Sequence, residues 1–296
     1  MKVEVKKLDN LKRVIRVQVE GEDFKKDKSQ LYRSLAKDLK VPGFRAGIAP
    51  LEILEKYHGK LLREEFIKWA IPNYYEKAVK EANISPVVLP RIYDVELTDK
   101  KFAFSAELEV KPQVSLEESI YKGIKVKDKP VDVKEQEWKK LVENLKEQVK
   151  RFTKKDFSDS EIAKWSGYPN YEVFQEALIC EIKGVKLRQR RLDIESQIVN
   201  TLLKRVKITV PKRAVEEHRN KLLEEEIYKL KVKGISEEDI RKYKKDLEEK
   251  LTYQAQEQMK LYYILEAIAI KENLDVTPNN LYEVVMGYIL SLTEFI

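Results

Sequence analysis

Phe44 and Arg45 stand side by side in Pro42-Gly43-Phe44-Arg45-Ala46-Gly47-Ile48-Ala49-Pro50. This is the segment richest in glycine and proline in a chain whose flanking stretches are patterned as helices. The chemistry these residues offer is recognition. A guanidinium makes paired hydrogen bonds to phosphate or carboxylate, and a phenyl ring supplies apolar contact area. Gly43 and Gly47 open backbone conformations closed to other residues. Pro42 and Pro50 fix φ and withhold an N–H, and Pro50 suits the first turn of a following helix. The loop is therefore expected to hold Phe44 and Arg45 at an exposed tip, as a docking point for a large anionic partner. A plain helix–helix connection with Phe44 turned into the core is the competing reading, and residue types alone leave the two level.

Elsewhere the residues argue against catalysis. His58 and His218 are far apart, and the single cysteine, Cys180, sits in a helical pattern, so no spacing fits a structural metal site. A lone helical cysteine behaves as a small hydrophobe. Glu64-Glu65 and Glu224-Glu225-Glu226 fall on charged helix faces and read as solvated surface. There is no phosphate-binding glycine loop, hence no sign of nucleotide use. No cofactor and no metal are expected. One cysteine excludes an intramolecular disulfide, which is compatible with a reducing compartment. No apolar stretch reaches the length of a signal peptide core or a membrane span, so a cytoplasmic location and no membrane partner are expected.

The elements that must position the loop follow from periodicity. Val3–Lys7 and Val14–Glu20 alternate as strands joined near Asp9-Asn10. Asp23–Lys40 reads as a helix, as do Leu51–Tyr57 and Leu61–Lys80. His58-Gly59 interrupts the latter two, and Pro72 is expected to kink or split the second. Ile84–Leu89, Ile92–Leu97 and Phe102–Val110 read as further strands, the last with Phe102, Phe104, Ala106, Leu108 and Val110 on the face covered by helices. Residues 1–112 thus predict an α+β layer domain. Residues 113–131 form a connector with one extended piece, Ile124–Val126. Asp132-x-x-Glu135 and Ser158-x-x-Glu161 read as capping boxes that open helices. Tyr171–Val206, Ala214–Lys233, Ser236–Asn273 and a last helix capped by Thr277-Pro278 make residues 132–296 all-α, with Pro211 at a helix start and Gly234 at a helix end. Charged residues are 37% of the chain, which suits long solvated helices, and the net charge of +7 is uneven. Met1–Lys111 holds 23 basic against 18 acidic residues, so the excess lies where a nucleic-acid-rich partner would be met.

Gly43-Phe44-Arg45-x-Gly47-x-x-Pro50 resembles the ribosome-docking motif of bacterial trigger factor, the chaperone that meets nascent chains at the tunnel exit. The family places this loop between two helices of an N-terminal α+β domain. Ala46 and Ile48 depart from the basic residues usual there, which bears on docking strength rather than docking mode. The resemblance implies ribosome contact through Gly43, Phe44, Arg45, Ala46 and Gly47, with an exit-site protein and ribosomal RNA as partners. It also implies an extended, arm-forming helical C-terminal domain. The family's peptidyl-prolyl isomerase domain has no room between Lys150 and Thr153, and no isomerase activity is expected. The family usually continues with further helices past the equivalent of Ile296.

What remains is a binding design. Scattered Tyr and Met tolerate partial exposure, and Tyr228, Leu230, Tyr253, Leu261 and Tyr262 are the candidate lining for unfolded or nascent polypeptide. The expected function is an ATP-independent ribosome-associated holding chaperone. A prolyl isomerase, and a basic RNA-binding or ribosome-assembly factor without client-holding activity, are the other classes. Assembly as a homodimer stays open.

Overall fold

The computed structural model describes residues 1–45 and 47–296; Ala46, named above as a docking residue, lies outside the described residues. The residues divide into two units, Met1–Val114 with Ile208–Tyr263, and Ser115–Lys207 with Ile264–Ile296.

In the first unit, β1 (Lys2–Lys7) and β2 (Lys12–Glu20) form the expected antiparallel hairpin. The Asp9 carboxylate closes it by accepting from the N–H groups of Leu11 and Lys12, both at 2.7 Å. α1 (Gly21–Leu35) and α2 (Leu51–Glu81) flank the loop, and β3 (Arg91–Leu97) and β4 (Lys101–Glu109) complete the sheet in the order β1-β2-β4-β3. Register pairs Ile15 with Ala106, Val17 with Phe104 and Val19 with Phe102, so these side chains share one face. Helices cover that face, with Phe24, Tyr32, Leu54, Leu62, Phe66, Ala70 and Tyr74 buried against it. Phe66 is its centre, meeting Phe24 and Phe102 edge-on at 5.7 and 5.6 Å between centroids.

Four expectations differ here, the first being that α1 ends at Leu35 rather than at Lys40. Ile84–Leu89 is not a strand but holds one bridge, Pro86 to Val110. Pro86 brings no N–H to a ladder, so pairing does not propagate. Pro72 stays inside α2, and the break falls at His58 (φ −126°, ψ 19°). Pro72 and Lys68, whose carbonyl loses its partner, are both exposed, which spares the helix the cost of a buried unpaired carbonyl. Finally β4 is buried on both faces, because Ala103, Ser105 and Glu109 are covered as well as the apolar set.

α6 (Lys212–Val232) and the part of α7 (Glu237–Lys271) up to Tyr263 belong to this unit. Val210, Val215, Ala255 and Tyr263 pack with Val114, Ile208, Leu222 and Met259, and His218 Nε2 donates to Gln258 Oε1 at 2.6 Å. Pro211 precedes α6 as expected, and Gly234 follows it at φ +79°.

In the second unit, β5 (Lys125–Val126) lies in the connector. α3 (Glu135–Thr153), α4 (Asp159–Trp165) and α5 (Tyr171–Arg205) pack around Trp138, Val142, Val149, Ile162 and Phe174. The Ser158–Glu161 capping box forms as expected. The Asp132–Glu135 box does not; α3 starts two residues later, with Lys134 N–H donating to Glu137 at 3.0 Å. Glu137 also takes Lys186 from α5, at 2.6 Å. Along α5, Val185 and Leu192 are exposed, and Ile194 is buried. α8 (Leu281–Ser291) leads into β6 (Glu294–Phe295), which pairs parallel with β5. No such strand follows from the sequence pattern. Among the described residues, no helix is long and apolar enough to cross a membrane, and no His/Cys/Asp/Glu group could hold a metal ion.

Candidate functional site

The α1–α2 loop is built from its buried ends outward. Tyr32, Ala36, Val41 and Leu54 are buried, and Leu39 and Ala49 pack against the same core, so both stems are anchored. Among the described residues, three backbone bonds hold the turn: Phe44 N–H to the Val41 carbonyl at 3.1 Å, Gly47 N–H to the Ala36 carbonyl at 3.0 Å, and Ile48 N–H to the Arg45 carbonyl at 3.1 Å. Gly43 and Gly47 lie at φ +82° and +81°, where a side chain would be strained. At Phe44 and Arg45 the chain turns outward. Phe44 is 42% exposed, and Arg45 and Ile48 are exposed with it. The competing placement of Phe44 in the core is therefore not what the loop adopts.

His58 supplies a fourth tie. It leaves the helical conformation at the kink of α2, and its Nε2 donates to the Lys40 carbonyl at 2.9 Å. The sequence marked His58-Gly59 only as an interruption; the tether across to the loop had no signal in spacing. Lys37 lies beside Gly47, its Cα 3.7 Å from where a Cβ on that glycine would stand. Lys37 and Lys40 are exposed beside the tip, and among the described residues neither they nor Arg45 is drawn into an ion pair. The loop thus presents one aromatic ring and a guanidinium on a tied frame with two ammonium groups alongside. Such an arrangement suits an anionic surface that also offers an apolar contact.

The second candidate set lies on the α6–α7 hairpin. Tyr228 and Tyr253 are exposed, and Leu230, Leu261 and Tyr262 are half-buried. Tyr262 stacks edge-on with Tyr263 at 5.6 Å, whereas Tyr253 hydrogen-bonds Glu257 at 2.6 Å. The loop set and the hairpin set are both in the first unit. The hairpin's foot is held by a residue that sequence reasoning missed. Glu109, at 2% exposure, accepts from the backbone N–H of Arg213 at 3.0 Å, placing a carboxylate at the start of α6. In sequence it looks like any polar residue of an alternating strand.

The second unit has its own half-buried ionic centre. Glu272, at the end of α7, accepts from Tyr121 Oη, from Tyr288 Oη and from Lys122 Nζ, the last at 3.1 Å. Those two phenols hold its carboxyl down at about 2. Burial, and then the bond to Glu272, push the Tyr121 phenol up.

The family model for bacterial trigger factor protein matches residues 1–145, and that for the C-terminus of the same protein matches residues 172–289. A trigger factor from Clostridium kluyveri is 32% identical over 158 residues, 53% of this chain and 36% of that protein. One from Halothermothrix orenii is 36% identical over 150 residues, 50% of this chain and 34% of that protein. One from Clostridium botulinum is 31% identical over 182 residues, 59% of this chain and 42% of that protein. The matched stretch therefore spans well under half of each relative. A solved structure, from work on promiscuous substrate recognition in folding and assembly activities of the trigger factor chaperone, superposes with a TM-score of 0.56. It shares 17% identity and covers 95% of this chain and 87% of that one, a likeness of fold.

Proposed function

The chain belongs to the trigger factor family, and on that premise we propose that it is an ATP-independent ribosome-associated chaperone of the cytoplasm. In this reading it docks beside the exit of the nascent chain and holds unfolded polypeptide. One observation supports it: the loop that resembles the family's docking motif holds Phe44 and Arg45 exposed on a tied frame. Residues 1–112 are the docking domain, 113–131 the connector and 132–296 the client-holding part. Arg45, with Lys37 and Lys40 beside it, faces ribosomal RNA or a carboxylate of an exit-site protein, while Phe44 enters an apolar recess. Tyr228, Leu230, Tyr253, Leu261 and Tyr262 contact client by many weak apolar contacts, so release requires no nucleotide. Only the short turn Lys154–Ser158 joins α3 to α4, and the protein holds clients without isomerising them.

The test uses the full chain in two assays. It should pellet with ribosomes at low salt, and it should delay aggregation of an unrelated unfolded protein at near-stoichiometric ratio without ATP. A chain that pellets yet never slows aggregation overturns the holding role. One that does neither overturns the whole reading.

A further inference from the structure

The C-terminal end of α3 carries Lys150-Arg151-Phe152-Thr153-Lys154-Lys155, and it lies in residues that neither family model matches, since one stops at 145 and the other resumes at 172. Phe152 is 88% exposed, the largest exposure of any bulky apolar residue among those described. Four of its five nearest neighbours in the run are cations. The negative end of a helix dipole accounts for Lys150 and Arg151 in the last turn. It does not account for Lys154 and Lys155 beyond the helix, nor for a phenyl ring left in water.

The backbone at this point is held in an unfavourable conformation. Lys154 caps the helix at φ 61°, its N–H donating to the Lys150 carbonyl at 2.8 Å. Glycine or asparagine usually fills that left-handed position, and a lysine there is strained. Thr153 Oγ1 donates to the Val149 carbonyl at 2.8 Å, which fixes the turn. The cations are held loosely. Lys150 pairs with an exposed Asp156 at 2.6 Å, and Arg151 reaches the exposed Glu147 only at 3.9 Å. Such surface pairs yield readily to a stronger anion. Among the described residues Lys154 and Lys155 have no carboxylate partner.

We propose that this end of α3 is a contact for single-stranded RNA, separate from the Phe44–Arg45 loop and independent of the function assigned to it. A single ring amid several cations matches how unpaired nucleotides are held, with a base stacked on the ring and phosphates against ammonium groups. A membrane surface would call for a broad apolar face beside the cations, and here the apolar part is one side chain. An acidic peptide would use the cations but would leave the ring without a role.

The test is fluorescence anisotropy of a labelled 12-nucleotide single-stranded RNA titrated with the full chain at several salt concentrations. Phe152→Ala should weaken binding about tenfold, the loss of one stacked base. Lys154→Gly removes one cation while relieving the strained cap. It should hold or raise the melting temperature, yet weaken binding and reduce the slope of log K against log salt by about 0.7. The Phe44→Ala/Arg45→Ala variant should keep the part of the binding that Phe152→Ala removes. The proposal is overturned if the wild-type chain does not bind the RNA. It is overturned equally if Phe152→Ala and Lys154→Gly bind as wild type does, or if only the loop variant loses affinity. Loss of binding to vesicles of phosphatidylcholine and phosphatidylglycerol in these variants, with RNA binding unchanged, would identify a membrane contact instead and also overturn it.

Discussion

Replacing Phe44 with Ala should separate docking from folding. A phenylalanine side chain offers ~200 Å² of contact area, and Phe44 leaves 42% of its surface in water. A partner recess that covers this exposed part removes about 80 Å² from water, worth about 2 kcal/mol at ~25 cal/mol/Å². That corresponds to roughly a 30-fold weaker complex. Arg45→Ala removes a charge-assisted contact of about 1.5–3 kcal/mol, so the double variant should fall by about 3–5 kcal/mol if the two act independently. Pelleting with ribosomes over a range of protein concentrations measures both, with thermal melting as the control. Because Phe44 lies outside the core around Phe66, its loss should leave the melting temperature within about 2 °C. A Phe44→Ala chain that melts normally and pellets within about twofold of wild type would refute the hot-spot reasoning. A large drop in melting temperature would instead show the ring to be part of the core. With Ala46 and Ile48 uncharged, salt should weaken the complex less than it does for relatives carrying lysine there.

His58→Ala should loosen the loop and weaken ribosome pelleting several-fold, whereas His58→Gln, which still offers a donor to the Lys40 carbonyl, should restore it; equal affinity of the two variants would dismiss the tether. The Glu272 centre gives a pH dependence. Its folded pKa, about 2, lies below the ordinary 4.5. Its stabilisation is therefore complete above the unfolded value and is lost as pH falls from about 4.5 toward 2. The melting difference between wild type and Glu272→Gln should shrink across that window, and a difference that is constant with pH would contradict it. On a short X-Pro peptide the full chain should leave the slow uncatalysed rate, tens to hundreds of seconds, unchanged; acceleration proportional to protein concentration would overturn the non-enzymatic reading.

The features legible in the sequence were those with local causes. Ser158 and Glu161 satisfy each other within one turn, Pro211 starts a helix, Gly234 ends one, and the paired glycines at 43 and 47 bend the loop whatever surrounds them. What was not legible depends on residues distant in the chain. Glu109 is buried because α6 begins 104 residues later at its carboxylate. Glu272 draws on Tyr121, 151 residues earlier. At the start of α3, Glu137 caps Lys134 and also meets Lys186, 49 residues later. β6 exists because Ile124 and Val126 offer carbonyls to Glu294 and Ile296. Periodicity reports a face; it does not report which distant partner covers it, as the exposed Val185 and Leu192 show.

The interleaving of the two units bears on how the chain is made. Synthesis runs from Met1 onward, so the sheet and its helices can close once Val114 has emerged. The foot on which α6 stands, however, must wait while Ser115–Lys207 is translated. Throughout that interval the Glu109 carboxylate and Val114 have no hairpin to receive them. A slow-translating stretch placed in Ile208–Tyr263 would lengthen the exposure, and a nick in the connector would not release the first unit, because its last piece arrives from the far side of the second.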